Sequence, residues 1–258
     1  MLLAVDAGNT NIVFAVFQDN RLLQSWRLST NPKRTADEYW LQLANLMQLS
    51  GISAKEIDDI IIACVVPHSL FALRLLGKKY FSRTPLVVGD RKINLGIKVL
   101  LSRPSEVGAD RLVNAIGAYA LHKKAAIIVD LGTATTFDVI SDSGDYLGGV
   151  IAPGVDLSIE ALHRAAAKLP EIAVEKPRYV IGRSTVSAMQ SGIYWGYISL
   201  IEGIVSRIKQ EYGAPLITIA TGGLAPLFAK SLPAIEELQP DLTINGLNQV
   251  YLRNKKAL

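Results

Sequence analysis

The 258-residue chain has a single cysteine, Cys64, so no intramolecular disulfide can form and a small disulfide-stapled scaffold is excluded. Its three histidines, His68, His122 and His163, are scattered without metal-ligand spacing, which argues against a zinc centre. No apolar run approaches the roughly 20 residues that a membrane-spanning helix needs. The main internal runs, 60–66 and 125–129, read as buried strands, and Cys64 inside the first reads as a small buried hydrophobe. Residues 1–5 carry no basic leader and run at once into Asp6, so no secretory signal is read and a cytoplasmic protein is expected. Two common nucleotide signatures are missing as well, G-x-x-x-x-G-K-[ST] and a G-x-G-x-x-G between strand and helix. Charged residues make up 19% of the chain, with 27 Lys and Arg against 23 Asp and Glu for a net charge of +4. They form no basic run with interleaved aromatics, so neither nucleic acid nor membrane is expected as a partner, and small anions suit the charge better.

Half of the residues are apolar, enough for a core, and the length suits one large domain or two similar lobes. The strongest feature is a repeat. An apolar run at 2–5 ends in Asp6-Ala7-Gly8-Asn9-Thr10, and a second strand at 12–17, a turn at Asp19-Asn20 and a third strand at 22–28 follow. The same order returns: a run at 125–129, then Asp130-Leu131-Gly132-Thr133-Ala134-Thr135, strand 137–140, turn 141–145 and strand 146–151. Matching strands on both sides of two similar loops mark a duplication more firmly than either loop alone. Helices are predicted over 35–49, opened by a Thr35/Glu38 capping box, over 110–122 and over 156–167. A long helical stretch broken by glycines is predicted over 184–210. A strand at 216–220 ends in a third glycine turn, Thr221-Gly222-Gly223-Leu224.

Such loops suit a phosphate chain. Glycine in a tight turn lets backbone N–H groups converge on an anion with no Cβ in the way, and Gly8 and Gly132 stand where this is needed. Asn9, Thr10, Thr133 and Thr135 can add donors. An aspartate opens each loop, and a carboxylate facing phosphate requires an intervening cation, so Asp6 and Asp130 imply metal or monovalent ions. A single Asp-x-Gly-x-Thr is as readily an ordinary turn whose Asp caps its own backbone; two copies and a third glycine turn shift that balance. Asp110, at or beside a helix N-terminus that favours negative charge, reads from spacing alone as readily as an N-cap as anything else.

The ordered set Asp6-Ala7-Gly8-Asn9-Thr10-Asn11, Gly108-Ala109-Asp110-Arg111, Asp130-Leu131-Gly132-Thr133-Ala134-Thr135 and Thr221-Gly222-Gly223-Leu224 resembles the type III pantothenate kinases, within the actin-like ATPase, sugar kinase and Hsp70 superfamily. The resemblance covers residues 1 to about 225. It implies an α/β fold of two duplicated ribonuclease-H-like lobes, 1–115 and 116–258, with mixed sheets flanked by helices and a central cleft. It implies ATP-dependent phosphorylation of pantothenate, the opening step of coenzyme A synthesis. Asp6, Ala7, Gly8, Asn9, Thr10, Asn11, Ile12 and Val13 would form the first phosphate loop, with Asp6 near Mg2+ brought by ATP. Gly132, Thr133, Gly222 and Gly223 would bind ATP from the other side, and Asp130 would ligate K+ or NH4+. Gly108, Ala109, Asp110 and Arg111 would contact pantothenate, with Asp110 as general base and Arg111 on the substrate carboxylate or the transferring phosphate. Thr185 would help hold pantothenate across a homodimer interface. The chain departs from the family in one place: 95–107 lacks the aromatic that usually lines the substrate pocket. A non-enzymatic nucleotide-binding regulator of the same family, a transcription accessory factor, is the alternative, and retention of Asp6, Asp110 and Asp130 argues against it.

Overall fold

The computed structural model of the chain describes residues 1–165 and 169–255. Its principal elements are β1 (Leu2–Ala7), β2 (Asn11–Gln18), β3 (Arg21–Ser29), α1 (Ala36–Leu49), β4 (Asp59–Cys64), α2 (Pro67–Phe81), β5 (Leu86–Val87), α3 (Ala109–His122), β6 (Ala126–Leu131), β7 (Ala134–Ile140), β8 (Tyr146–Pro153), α4 (Val155–Ala165), α5 (Thr185–Tyr212), β9 (Ile217–Thr221), α6 (Ala225–Ala229), β10 (Glu237–Leu238) and α7 (Leu242–Asn254). The strands form two five-stranded sheets, β3-β2-β1-β4-β5 and β8-β7-β6-β9-β10. In each, the opening strand pairs antiparallel with the next strand in sequence and parallel with the fourth. One mixed-sheet topology is therefore built twice, as the sequence repeat predicts.

The repeat extends to single residues. In β1 and β6 every position is buried except the fifth, where Asp6 and Asp130 are half-buried. Because strand side chains alternate, Leu3, Val5 and Ala7 enter a core with Phe14, Tyr39, Leu43 and Leu73 on the side of α1 and α2. Leu2 and Ala4 face the other way, against Val113, Ile116, Leu247 and Val250 of α3 and α7. The second unit buries Ile127, Val129 and Leu131 with Phe137, Ile159, Tyr194, Ile201 and Phe228.

Several expectations need correcting. The compact units are Met1–Lys98 with Ser102–Leu121 and the chain from Leu242 onward, and Val99–Leu101 with His122–Asp241. A boundary at 115/116 thus falls inside α3. The unforeseen α7 returns to the first unit because Ile244, Leu247, Val250 and Tyr251 bury against its sheet. Polar ties reinforce this packing: Thr243 Oγ1 donates to Asn114 Oδ1 at 2.7 Å and Tyr251 OH to Asp59 Oδ2 at 2.5 Å. Pro67 opens α2 at its first position, where a missing N–H costs nothing. The glycines at 192, 196 and 203 do not break α5, which runs unbroken for 28 residues; burial of Tyr194, Ile198 and Ile201 outweighs about 1 kcal/mol of propensity lost at each. Thr35 and Glu38 do form the capping box of α1. Residues 166 and 167 of the helix predicted over 156–167 lie outside the described residues.

Candidate functional site

In the first unit, β1 and β2 are joined by a short turn whose Gly8 N–H donates to Asn11 O at 3.0 Å. Asn9 and Thr10 at its tip are exposed. Asp6 pairs with Val13 across the hairpin, and alternation puts its carboxylate on the face of Leu2 and Ala4, the side of α3. The loop is tied on two flanks. On one, Thr30 Oγ1 donates to Gly8 O at 2.6 Å and Thr30 N–H to Thr10 O at 2.9 Å. On the other, Val65 N–H donates to Ala7 O at 3.1 Å. Val65 is also the neighbour of Gly108: a Cβ built there would lie 3.7 Å from Val65 Cγ1 and 2.5 Å from Asp110 Oδ1. The hairpin of residues 6–13 and the 108–111 motif therefore meet through one residue at the end of β4. Asp110 sits in the first turn of α3, and its Oδ1 accepts the Arg111 N–H at 2.8 Å. Since Leu112 N–H bonds to Gly108 O, the N-cap position belongs to Gly108, and the plain N-cap reading of Asp110 does not hold.

In the second unit the equivalent turn is shorter, with Gly132 N–H donating to Ala134 O at 3.1 Å. Two further segments close on it. Gly222 has φ +94°, and a Cβ there would lie 2.5 Å from Asp130 Oδ1 and 2.6 Å from Leu131 O, so only glycine lets the third turn come this near. Gly154, just before α4, is nearer still: a Cβ would stand 2.0 Å from Thr133 O. Tyr197 OH holds the preceding carbonyl, donating to Pro153 O at 2.9 Å while Ser158 Oγ lies 2.6 Å from it. Gly132 and Gly222 thus lie against Asp130, with Gly223 adjoining in sequence, while Thr133 meets Gly154. Thr135 does not join them. It is fully buried, on the face of its register partner Leu131 and of Phe137, so it offers nothing to a phosphate. Thr185 is exposed in the first turn of α5 and is not among the residues that meet at Asp130.

Burial pushes the Cys64 thiol above its usual range, aided by the nearby Asp6 charge and opposed by an S–H bond to Val66 O at 3.1 Å. A protonated thiol beside the loop is a poor nucleophile. Burial likewise raises the hydroxyls of Tyr39 and Tyr197, with Ser69 and Ser158 opposing. A shallow apolar recess of about 390 Å³ on the first unit, lined by Trp40, Met47, Ile52 and neighbours, contains none of the motif residues. Thr30, Val65, Gly154 and Tyr197 escaped the sequence reading. Aligning the two repeats beyond their third strands was the signal that could have found Thr30 and Gly154.

A family model described as type III pantothenate kinase matches residues 2–207. A type III pantothenate kinase of Paramagnetospirillum magneticum is 55% identical over 98% of this chain and 98% of its own. That of Rhodospirillum rubrum is 54% identical, covering 99% of each, and that of Caulobacter vibrioides 51%, covering 100% of this chain and 99% of its own. Among solved structures, a Baf family transcriptional activator from Campylobacter jejuni superposes with a TM-score of 0.61 at 18% identity, covering 98% of this chain and 99% of its own. A 2-dehydro-3-deoxygalactonokinase from Sinorhizobium meliloti gives 0.59 at 13%, covering 100% and 97%. At such identities these two speak to the fold alone, the duplicated actin-like ATPase architecture.

Proposed function

The chain belongs to the type III pantothenate kinase family, and from that premise we propose how its residues phosphorylate pantothenate with ATP, giving 4′-phosphopantothenate in the first step of coenzyme A biosynthesis. The observation that carries the reading is the junction at Val65, where an anion-suited glycine turn and Gly108, two residues before Asp110 at the start of α3, share one neighbour. Asp110 takes the proton of the primary hydroxyl of pantothenate. The oxygen attacks the γ-phosphorus of ATP, and the bond to the β–γ bridging oxygen breaks to release ADP. Phosphoryl transfer rests mainly on positioning and charge neutralisation, with a base adding about 10² to 10⁴-fold. Arg111 pairs with the substrate carboxylate or the transferring phosphate. Gly108 and Ala109 shape the acceptor side.

The 6–13 hairpin of the first unit is read as one holder of ATP phosphates, and Gly132, Thr133, Gly222 and Gly223 of the second unit as another. Among the described residues no three His, Cys, Asp or Glu side chains cluster as a metal site. Mg2+ carried by ATP keeps its waters and takes one or two carboxylates beside phosphate oxygens; Asp6 is the carboxylate proposed here. Bound, the ion neutralises charge on the phosphates. Asp130 is proposed for K+ or NH4+; that reading is supported by its carboxylate standing at the end of β6 beside the Leu131 carbonyl, where the Gly222 backbone packs close.

The working form is read as a cytoplasmic homodimer with ATP and pantothenate as its partners and no nucleic-acid or membrane surface. Exposed Tyr179, Val180 and Ile181, just ahead of Thr185, support a second copy covering this surface and Thr185 acting across it. Among the described residues no helix is long and apolar enough to cross a membrane. The regulator alternative is not favoured, since relatives at 51–55% identity over nearly the full chain are kinases and the activator resembles this chain in fold alone. The test is incubation with ATP, Mg2+, K+ and pantothenate. Wild type is expected to yield phosphopantothenate and ADP in equal amounts, with kcat of Asp110→Asn lower by about 10² to 10⁴-fold. A wild type that binds ATP without forming product would overturn the reading.

A further inference from the structure

We propose that Thr30 is a positioning residue for ATP binding, holding the first phosphate loop with its N–H groups turned toward the anion. This rests on the reading that the turn between β1 and β2 receives ATP phosphates. Thr30 captures two carbonyls of that turn, Gly8 O through its hydroxyl at 2.6 Å and Thr10 O through its own N–H at 2.9 Å. Every peptide bond described is trans, and in a trans peptide the carbonyl of one residue and the N–H of the next point in opposite directions. Pinning the Gly8 and Thr10 carbonyls toward Thr30 therefore aims the Asn9 and Asn11 N–H groups away from it. Without the hydroxyl, the exposed Gly8-Asn9 peptide is free to rotate and present its carbonyl, a repulsive dipole, to the phosphate.

The duplication supplies an independent observation. Asn11 pairs with Ser29 in the first sheet, and Ala134 with Pro153 in the second. The residue after each partner is thus the same structural position, Thr30 in one unit and Gly154 in the other. Both lie against the carbonyls of their loop. Thr30 does so with a hydroxyl, and Gly154 with bare backbone where a Cβ would stand 2.0 Å from Thr133 O and 2.9 Å from Gly132 O. The position is built twice to control peptide orientation in a glycine turn, by two different means.

Steady-state kinetics of the full chain with Thr30→Val, Thr30→Ala and Thr30→Ser tests this, alongside Asp6→Asn. Val and Ala are expected to raise KM for ATP by about 5- to 30-fold, the size of one lost hydrogen bond to a binding loop. KM for pantothenate should stay within about twofold in both, and Ser should restore KM for ATP to near wild type. If Ser is as impaired as Val, or if both KM values rise together, the methyl or general packing matters and the proposal falls. If KM for ATP is unchanged in Val and Ala while Asp6→Asn raises it, the brace is wrong and the loop assignment survives. If Asp6→Asn also leaves ATP affinity intact, the loop assignment fails and takes the brace with it. Should Thr30→Val not fold, the Ala and Ser pair makes the same distinction.

Discussion

The two hairpins at the heart of this chain share strand register and differ in their turns. Each has an aspartate at the fifth position of an otherwise buried strand. Each shifts register at the equivalent place farther along, between Val16 and Phe17 in one and Val139 and Ile140 in the other. Yet four residues separate the last paired positions Ala7 and Ile12, and only three separate Leu131 and Thr135. The first turn is braced by the Thr30 side chain and adjoins Gly108 through Val65; the second is closed on two sides by glycine backbone. Strand pairing and burial, which tolerate little, have kept the repeat intact. The turns differ, and under the proposed function the first receives the reacting phosphate and the second a cation.

If closure by bare backbone sets the second hairpin apart, one methyl should separate them. Gly154→Ala places its Cβ 2.0 Å from the Thr133 carbonyl oxygen, whereas Gly8→Ala meets nothing nearer than Asn11 O at 3.3 Å. Overpacking against backbone costs about 1–3 kcal/mol or more, so thermal or urea unfolding should show Gly154→Ala clearly destabilised and Gly8→Ala changed by less than about 1 kcal/mol. Equal effects would mean that the two turns are closed alike.

The cation assignment offers a second, smaller contrast. Exchanging K+ for Na+ should lower kcat by about tenfold, or about 1.4 kcal/mol. In Asp130→Asn that difference between cations should vanish, while Asp6→Asn should retain it at a lower overall rate. A wild-type rate indifferent to the cation would remove Asp130 from this role.

What could be read before the structure follows the same division. Duplicated strands, the capping box at Thr35 and Glu38 and the glycine turns are local signals, written in residues adjacent in sequence. The return of α7 to the first unit was not legible, because its partners at Leu2 and Ala4 lie more than 200 residues away. Nor was the buried side of Thr135, since a one-residue difference in turn length decides which way a strand residue faces. Val65 and Thr30 carry no motif of their own and gain meaning only from the carbonyls that they reach.

The smallest expected effect isolates α7, an element buried against the first unit's sheet. Tyr251 OH donates to Asp59 Oδ2, and its hydroxyl is held well above the usual tyrosine range, first by burial and then by this bond to a carboxylate. A folded-state value raised above the unfolded one means that the protonated hydroxyl is favoured by folding. Its contribution is complete below the unfolded pKa of about 10 and is lost as pH rises through the folded value. Tyr251→Phe should cost about 1 kcal/mol at neutral pH and flatten the decline in stability above about pH 10. Hydrogen exchange should quicken in β1, β4 and α7 and stay unchanged in β6, β7 and β9. Matching acceleration in both sheets would show that α7 supports the second unit as much as the first.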